Sequence, residues 1–396
     1  MIVVRAGRTQ VMILCGILAA GALLILYAQK TESIPAGGDI IPLRQVHDPY
    51  PAFNGIGIDP ENNLVAMSDV NRKSLLSYAR LAQSKPNEIT APQHQVIGPL
   101  TDIGFVAGIL LDSQRREIIA LNNDIEDTMV VMPYDAQGNQ APKRILSVPH
   151  QAWGLAMSRT RDEIGITVEL QEAVVIYKRE ARGVEAPMRV IRGPHAGLAD
   201  PHGIFWDERS NEIGVANHGN YRGLMKDEGA GCVPTGTAEP EAGAVLPPSI
   251  TIYSGDAKGD ATPLRTIQGD RTLLDFPMGL ADDPLNGEFA VANNGDNSVL
   301  VFARRAIGNA VPVRVIIGAK TGIDRPMGVA IDAANGEIWV SNFLDHSALV
   351  FDRTANGNRA PKRIIRTAPA GTPSPGFGNP QTVAYDSKRD QILVPN

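Results

Sequence analysis

Three histidines are the residues of this chain best suited to chemistry. His150, His202 and His218 lie in one stretch of the sequence, and Glu169 falls between the first two. Neutral imidazole and carboxylate oxygen are good ligands for a divalent metal ion, and imidazole is a common general base. The set therefore predicts a divalent metal site or, with Tyr221 or Arg222 as a helper, an acid–base site. The spacing matches no short metal-binding motif, so only a shared location in the fold can bring these side chains together.

Other polar and aromatic residues are candidates for ligand contact because they occupy corresponding loops. They are Trp153, Glu169, Arg222, Asn293, Arg325, Asn342 and His346. An Asn or Asp also recurs at the end of matching segments, at Asp69, Asn123, Asn217, Asn293, Asn342 and Asn396. Such residues commonly hydrogen-bond the backbone of a turn. The recurrence therefore favours a structural role over a ring of ligand contacts.

The segments that carry these residues repeat along the chain. A motif of Gly, hydrophobic residues and Asp begins units at residues 55–59, 107–112, 153–157, 202–207, 278–283, 327–332 and 382–386. The starts are about 45 to 55 residues apart, with one longer gap of about 75. Each motif is followed by a second strand-like segment, and six are followed by a third and a fourth. Four short strands per unit at this period predict a β-propeller, whose blades bury both faces against their neighbours.

The last unit has only two strands before Asn396, and residues 40–48 resemble the fourth strands of the other units. Pairing the two chain ends in one blade predicts an all-β fold with a seven-bladed β-propeller over residues 40–396. A six-bladed ring is the alternative, if the terminal half-unit forms no blade. A chain that ends before its third strand also accounts for the incomplete unit. Residues 222–248, rich in Gly, Pro and Ala, are predicted to be a long loop insertion that covers one face or binds a partner.

Composition limits the classes of partner. The 396 residues carry a formal net charge of −6 and no long basic run, which excludes nucleic acid as the expected ligand. Abundant Gly (39) and Pro (29) with few aromatic residues (5%) are typical of short strands and many turns. The two cysteines, Cys15 and Cys232, provide no disulfide framework within the folded part.

The N-terminal segment predicts a membrane partner. Arg5 and Arg8 precede residues 11–28, about 18 apolar residues without a charge, which is long enough to span a bilayer as a helix. Arginines before the span favour placing everything after it outside the cytoplasm. We expect residues 1–29 to be an N-terminal transmembrane anchor, with a cleaved signal segment as the alternative, and residues 30–39 to be a tether. The propeller then lies in the periplasm or outside the cell.

The repeat resembles a known family of propellers. Residues 326–342, PMGVAIDAANGEIWVSN, are similar to the NHL and YVTN-type repeats, and the resemblance extends over residues 50–396. This chain has Leu or Val in the third strand, where NHL repeats often carry Arg. The resemblance implies an extracytoplasmic propeller. Because the sequence offers no strong catalytic set, we expect it to bind a protein, a glycan or a small molecule on its central face.

The same resemblance implies an alternative function. Propellers of this kind include lyases and lactonase-like enzymes that use histidine with a divalent metal ion at the central face. His150, His202 and His218 would take that role here by location only, since no lyase motif surrounds them. A redox-partner role is a third possibility, although the chain has no haem-attachment motif. No cofactor other than a divalent metal ion is expected.

Overall fold

The structure is a computed structural model that describes residues 2–5, 44–45, 53–70, 72–84, 90–123, 126–219, 246–343, 347–366, 384–386 and 391–394. Contacts divide the chain into two compact units, residues 1–48 with 377–396 and residues 49–376. Apart from a 3-10 turn at Asp270–Thr272, every regular element among the described residues is a β-strand. The all-β prediction is confirmed.

The smaller unit contains one four-stranded antiparallel sheet. Its strands are β1 (Ile2–Arg5), β2 (Arg44–Gln45), β27 (Ala384–Asp386) and β28 (Gln391–Val394), in the spatial order β2-β1-β28-β27. Residues 44–45 therefore join the same sheet as the C-terminal strands, although they pair with β1 and not with β28 directly.

The larger unit contains six sheets, each an antiparallel run of four consecutive strands. The first, innermost strands are β3 (Phe53–Asp59), β7 (Val106–Asp112), β11 (Ala152–Ser158), β15 (Pro201–Asp207), β19 (Pro277–Asp283) and β23 (Pro326–Asp332). The second strands are β4 (Leu64–Asp69), β8 (Glu117–Asn122), β12 (Glu163–Val168), β16 (Glu212–Asn217), β20 (Glu288–Asn293) and β24 (Glu337–Asn342). The third strands are β5 (Ser74–Ala79), β9 (Thr128–Pro133), β13 (Ala173–Lys178), β17 (Ser249–Ser254), β21 (Ser298–Ala303) and β25 (Ser347–Asp352). The outer strands are β6 (His94–Ile97), β10 (Arg144–Ser147), β14 (Arg189–Ile191), β18 (Arg265–Gln268), β22 (Arg314–Ile316) and β26 (Arg363–Arg366).

These sheets are the blades of a six-bladed propeller, numbered 1 to 6 in chain order. Strands β4, β8, β12 and β24 are buried at every residue, because a neighbouring blade covers each face. Such strands are near-continuous runs of Val, Ile, Leu and Ala, with no polar face. Blades 6 and 1 share a core in which the fully buried Trp339 packs with Phe53 and Tyr78.

A ring of glycines shows how the ring closes. The third residue of each inner strand is Gly, and an added Cβ there would lie only 2.2–3.1 Å from a carbonyl oxygen of the next blade. The glycine and carbonyl pairs are Gly55 with Ala107, Gly108 with Trp153, Gly154 with His202, Gly203 with Met278, Gly279 with Met327 and Gly328 with Asn54. The last pair joins blade 6 to blade 1. Only Gly permits so close an approach of two backbones.

The seven-bladed prediction is therefore wrong, and the six-bladed alternative is confirmed. Blade 6 meets blade 1 directly, and a hydrogen bond of 2.7 Å from the Ser341 hydroxyl to the Asn54 carbonyl strengthens that contact. At the perimeter, the Ser84 amide donates to the Ile364 carbonyl at 2.9 Å. The six blades of the larger unit therefore close the ring by themselves.

A repeated ion pair fixes the outer strand of blades 2 to 6. The first residue of each second strand is Glu, and the first residue of each outer strand is Arg, joined by hydrogen bonds of 2.6–3.0 Å. The pairs are Glu117–Arg144, Glu163–Arg189, Glu212–Arg265, Glu288–Arg314 and Glu337–Arg363. The pairs of blades 3 to 6 are bidentate, which makes them strong and directional, whereas Arg144 donates to Glu117 through one nitrogen. The hydrogen bond from Arg314 holds the pKa of Glu288 below its usual value.

A second repeated contact links neighbouring blades at the perimeter. A glycine with φ of 58–69° in the strand 3–4 loop of blades 2 to 6 bridges the outer strand of the preceding blade, at Gly138, Gly183, Gly259, Gly308 and Gly357. The next residue accepts a backbone N–H from that blade at 2.7–2.8 Å, as in Asn139, Asp260, Asn309 and Asn358. Blade 3 is the exception, because Val184 occupies this position and is 89% exposed.

Of the predicted anchor (1–29), only residues 2–5 are described, as strand β1. Residues 6–29, the tether (30–39) and residues 222–245 of the predicted loop insertion (222–248) lie outside the described residues. Within the described part of the chain, no helix is long and apolar enough to cross a membrane. Membrane attachment stays a prediction.

Candidate functional site

A β-bulge at the start of every inner strand points one side chain toward the propeller axis. The ladder between the first and second strands shifts register directly after its first pair in all six blades. Such a bulge redirects the side chain of the extra residue. The residues at this position, each followed by the glycine described above, are Asn54, Ala107, Trp153, His202, Met278 and Met327. Ala107 of blade 2 and Met278 of blade 5 belong to one apolar cluster, and these opposite blades meet only across the axis.

Loop residues complete the site at this end of the axis. Phe105 and Phe276 pack on the same cluster, and the residues that follow the second strands of blades 3 and 4 are Glu169 and His218. We refer to this site as the axial mouth. It is formed by Phe105, Trp153, Glu169, Asp200, His202, His218, Phe276, Met278 and Met327. Its charged and imidazole groups come from blades 3 and 4.

The residue before the inner strand has a left-handed backbone in blades 3 to 6. The φ angles are 60° at Gln151, 52° at Asp200, 52° at Phe276 and 48° at Arg325. Non-glycine residues rarely adopt this conformation, and it persists where surrounding contacts enforce it. Here the Asp200 carbonyl accepts the His218 amide N–H at 3.1 Å. The strained turn thus places Asp200 directly beside both histidines of blade 4.

Four rings contact one another in series across the axial mouth; three of them stack, and the Trp153 ring is tilted by 55° to His202. The Trp153 and His202 centroids are 4.5 Å apart, those of His202 and His218 are 3.4 Å apart, and those of His218 and Phe276 are 3.7 Å apart. The two imidazole planes are nearly parallel, at 21°. Phe105 extends the group, with its ring centre 6.3 Å from that of Trp153. His202 and His218 are 3% and 6% exposed, so this stack is the floor of the mouth.

The contacts of His202 determine which ring nitrogen carries its proton. Nδ1 lies 3.0 Å from the Asp200 carbonyl oxygen, which can only accept, so Nδ1 must donate. In the neutral ring this leaves a lone pair on Nε2, which lies 3.6 Å from Oε1 of Glu169. The same Glu169 oxygen accepts a hydrogen bond of 3.0 Å from the Asn123 side chain. Two acceptors therefore face each other at the mouth.

The pKa of His202 supports the neutral form. Burial is the main cause, with a smaller contribution from His218, and together they lower the pKa of His202 to about 3. The neighbouring Asp200 opposes the shift without cancelling it. At neutral pH, His202 is therefore uncharged and Nε2 acts as an acceptor.

His218 has different neighbours. Its Nε2 lies 2.8 Å from the Met278 sulfur, and its Nδ1 lies 3.3 Å from Oδ2 of Asp200 without hydrogen-bond geometry. Asp200, His202 and His218 each offer one ligand atom, and these atoms lie within 4.8 Å of one another. This is the metal-ligating cluster found among the described residues. However, an ion shared by two parallel stacked imidazoles would lie well outside both ring planes, so ligation requires at least one ring to turn.

The third histidine lies apart from this group. His150 precedes β11, is exposed, and places Nδ1 2.9 Å from the Asp127 carboxylate. It is not a member of the ligand group formed by Asp200, His202 and His218. His150 lies in the short loop between blades 2 and 3, two residues before β11 begins. The bulge position of β11 is occupied by Trp153.

The structure gives the recurrent Asn residues backbone contacts. Asn293 and Asn342 are fully buried, and each accepts the amide N–H of a loop residue and donates to a loop carbonyl. Asn217 likewise accepts the Ala199 amide. In blade 2 the equivalent residue is Asn122, while Asn123 occupies the position of Glu169 and His218. These contacts are those of turn residues, as the recurrence indicated.

Of the remaining predicted ligand residues, Arg325 precedes β23 on the same side of the ring, with the left-handed backbone described above. Tyr221, Arg222 and His346 lie outside the described residues. Sequence reasoning missed Asp200, Phe105, Met278 and Met327. Alignment of the residue before each recurrent Gly would have found the two methionines, since they occupy the position of Trp153 and His202.

The loops on this side of the ring carry excess negative charge. Their described acidic residues are Asp102, Glu126, Asp127, Glu169, Glu172, Asp200, Asp270, Asp275, Asp296 and Asp324, and their basic residues are Arg72, Lys73, Arg192, Arg271, Lys320 and Arg325. Burial, with repulsion from Asp275, raises the pKa of Asp296. A cation approaching this face is attracted by the surplus of carboxylates.

No protein-family model matches the chain, and no curated protein shows significant similarity to it. The fold that the structure defines is a six-bladed β-propeller, a class that is compatible with a binding or scaffold role.

Proposed function

We propose that the chain is a binding module of the cell envelope, tethered to the membrane by residues 11–28, whose axial mouth binds a small organic cation carrying N–H donors. The facing acceptors, Nε2 of His202 and Oε1 of Glu169, carry this proposal. They lie 3.6 Å apart, so one ammonium group about 2.9 Å from each can donate to both. A ligand group that can only accept hydrogen bonds cannot bind between these two acceptors.

The ring stack supports the same ligand class. Trp153, His202, His218 and Phe276 offer a surface of π-systems, and aromatic faces attract cations, more strongly where water is excluded. The half-buried carboxylates of Glu169 and Asp200 add charge at the rim. An apolar or aromatic substituent on the amine would pack on Phe105 and Met327, which are partly buried at the edge of the cluster.

Calorimetric titration with benzylamine tests this function, with benzyl alcohol as the uncharged analogue of the same shape. At pH 7.5 we expect the full-length chain to bind benzylamine at least tenfold more tightly than the alcohol. Glu169→Gln removes the anionic acceptor and should weaken benzylamine binding about tenfold or more, because hydrogen bonds to charged groups contribute roughly 1.5–3 kcal/mol.

The matched control is Glu185→Gln, which removes the same charge from an exposed loop between strands 3 and 4. It should bind benzylamine like the unmodified chain. Equal affinities for amine and alcohol, or equal losses in the two variants, would contradict the proposal.

The second candidate is a metal-assisted lyase or lactonase-like hydrolase. The observation that favours it is the convergence of Asp200, His202 and His218 within 4.8 Å. A divalent ion there would polarise a substrate oxygen, and the carboxylate and imidazoles would hold it. Titration with Zn²⁺ and Mn²⁺ separates the candidates. Stoichiometric metal binding that Asp200→Asn abolishes favours the enzyme, and no metal binding by the unmodified chain rejects it.

A further inference from the structure

The opposite end of the inner strands forms a second concavity. A cleft of about 330 Å³ is lined by Leu110, Leu111, Met157, Arg159, Trp206, Asp207, Glu208, Arg209, Asp282 and Pro284. These residues come from the ends of the inner strands of blades 2 to 5 and from the turns that follow. We call it the turn-side cleft. His202 and Trp206 share strand β15, and four residues of extended chain, about 13 Å, separate the cleft from the axial mouth.

The carboxylates of the turn-side cleft are already engaged by the protein. Arg304 bridges Asp207 and Asp282, which lie on neighbouring blades. Oε1 of Glu208 accepts the Thr160 amide at 2.7 Å and hydroxyl groups at 3.1 and 3.2 Å. Burial opposes the shift, but these hydrogen bonds hold the pKa of Glu208 below its usual value.

The guanidinium groups of the two arginines in the cleft differ from these acids in making hydrogen bonds to neutral groups. Arg159 donates to the Ser113 hydroxyl at 2.9 Å, and Arg209 donates to the Pro284 carbonyl at 2.7 Å. Neither guanidinium lies within ion-pair distance of a carboxylate among the described residues. Each guanidinium has five N–H donors, so both retain donors that can bind an external acceptor. Both residues are exposed at the edge of the cleft.

The cleft also has an apolar wall. Leu110, Met157 and Trp206 line it, and Trp206 is 7% exposed, so its indole ring is largely packed into the blade. The volume is near the lower limit for small-molecule sites, which combine an apolar wall with a few convergent polar groups. A ligand that fits needs a compact apolar body and one anionic end.

We propose that the turn-side cleft is a second binding site, for a small organic carboxylate whose apolar body packs on Met157 and Trp206 and whose anion pairs with Arg159 and Arg209. Guanidinium groups bind carboxylates through paired, charge-assisted hydrogen bonds. The site is independent of the axial mouth, since no residue is shared. The propeller then presents an acceptor for cations at one end of its inner strands and for anions at the other.

Titration of the full-length chain with 2-naphthoate, alongside 2-naphthalenemethanol as the uncharged analogue, tests this site. The acid should bind at least tenfold more tightly than the alcohol. The double variant Arg159→Gln/Arg209→Gln should remove that preference, while binding the alcohol within twofold of the unmodified chain. The control Arg182→Gln/Arg305→Gln removes the same charge from exposed strand 3–4 loops and should retain the preference.

A second variant guards against a misfolded result. Met157→Trp enlarges a side chain that lines the cleft and should abolish binding of both probes, and far-ultraviolet circular dichroism of each variant verifies folding. Equal binding of acid and alcohol, no binding of either probe at millimolar concentration, or an acid preference that survives the double variant overturns the proposal.

Discussion

The perimeter and the axis of this propeller are built by the same repeat but differ in how far residue identity is kept from blade to blade. At the perimeter, residue identity is kept from blade to blade: five Glu–Arg pairs and five bridging glycines recur with nearly the same geometry. At the axis, the bulge and the glycine that follows it recur, but the identity of the bulge residue changes in almost every blade. Repeated residues hold the ring together, and the changing ones form the axial mouth.

Blades 3 and 4 show this contrast most clearly. Both keep the perimeter ion pair, and between them they supply Trp153, His202, His218, Glu169 and Asp200 to the mouth. The stacked imidazoles contribute little that a hydrophobic residue could not, and burial of His202 lowers its pKa and so disfavours its protonated form. Such residues are typical of sites where function outweighs stability.

The largest effect should come from breaking a perimeter pair. Glu337 is 3% exposed and holds Arg363, Lys362 and Arg80 within 3.3 Å. Glu337→Gln leaves Arg363 and Lys362 without this carboxylate, while Arg80 keeps Asp332 at 3.4 Å. We expect the change to lower the free energy of unfolding by about 3 kcal/mol. Equilibrium denaturant unfolding provides the measurement.

The control is Glu180→Gln, whose carboxylate pairs with Arg115 at the surface and is 57% exposed. Exposed pairs contribute about 0–1 kcal/mol, so this change should have little effect. Similar losses in both variants would remove the distinction between a buried perimeter network and ordinary surface charge.

The second effect concerns pH and the axis. The folded pKa of His202 lies below its unfolded value of about 6.5, so between about pH 3 and 6.5 the unfolded chain binds more protons than the folded chain. The stability from this group is complete above pH 6.5 and is lost as pH falls. Between pH 7.5 and 5 the unmodified chain should lose about 2 kcal/mol more stability than His202→Gln.

The range above pH 5 is chosen because the perimeter carboxylates have lowered pKa values and change protonation below it. The control His94→Gln replaces a histidine on the outer strand β6 and should keep the full pH dependence. If His202→Gln retains the same slope as the unmodified chain, the buried neutral imidazole is the wrong description of the axis.

The smallest effect tests the contacts between blades. Asn309 accepts the Arg271 amide of blade 4 at 2.8 Å, and Asn309→Ala should lower stability by about 1 kcal/mol in thermal unfolding. Val184→Asn introduces the same side chain where the preceding loop is short. It should change stability by less than about 0.5 kcal/mol. A clear gain in stability from Val184→Asn would contradict this account. It would mean that Val184 alone distinguishes the contact between blades 2 and 3 from the other contacts between blades.

The sequence predicted the strands and blades well because each unit repeats a local pattern that the ring preserves. It could also have predicted six blades. The seventh start, at residues 382–386, lacks the glycine that each true inner strand needs next to its neighbour's backbone. The prediction of seven blades was wrong because it rested on the pattern of apolar residues and left out this steric requirement for glycine.

The site was harder to predict. Trp153, His202, His218 and Glu169 were found because they fall in loops at one end of the blades, and the structure brings His202 against each of the others. Asp200 was missed because its role depends on a left-handed turn that no motif announces. His150 was grouped with the others because its short loop made it look like the start of a strand.

Crystallography with a bromine-labelled amine tests the central claim most directly. In crystals of the full-length chain soaked with 4-bromobenzylamine, we expect an anomalous bromine peak at the axial mouth, with the ammonium within hydrogen-bond distance of Glu169 and His202. Crystals soaked with 4-bromobenzyl alcohol at the same concentration should show no such peak. Bromine bound elsewhere on the ring, or equal occupancy by the alcohol, would contradict cation recognition at the axis.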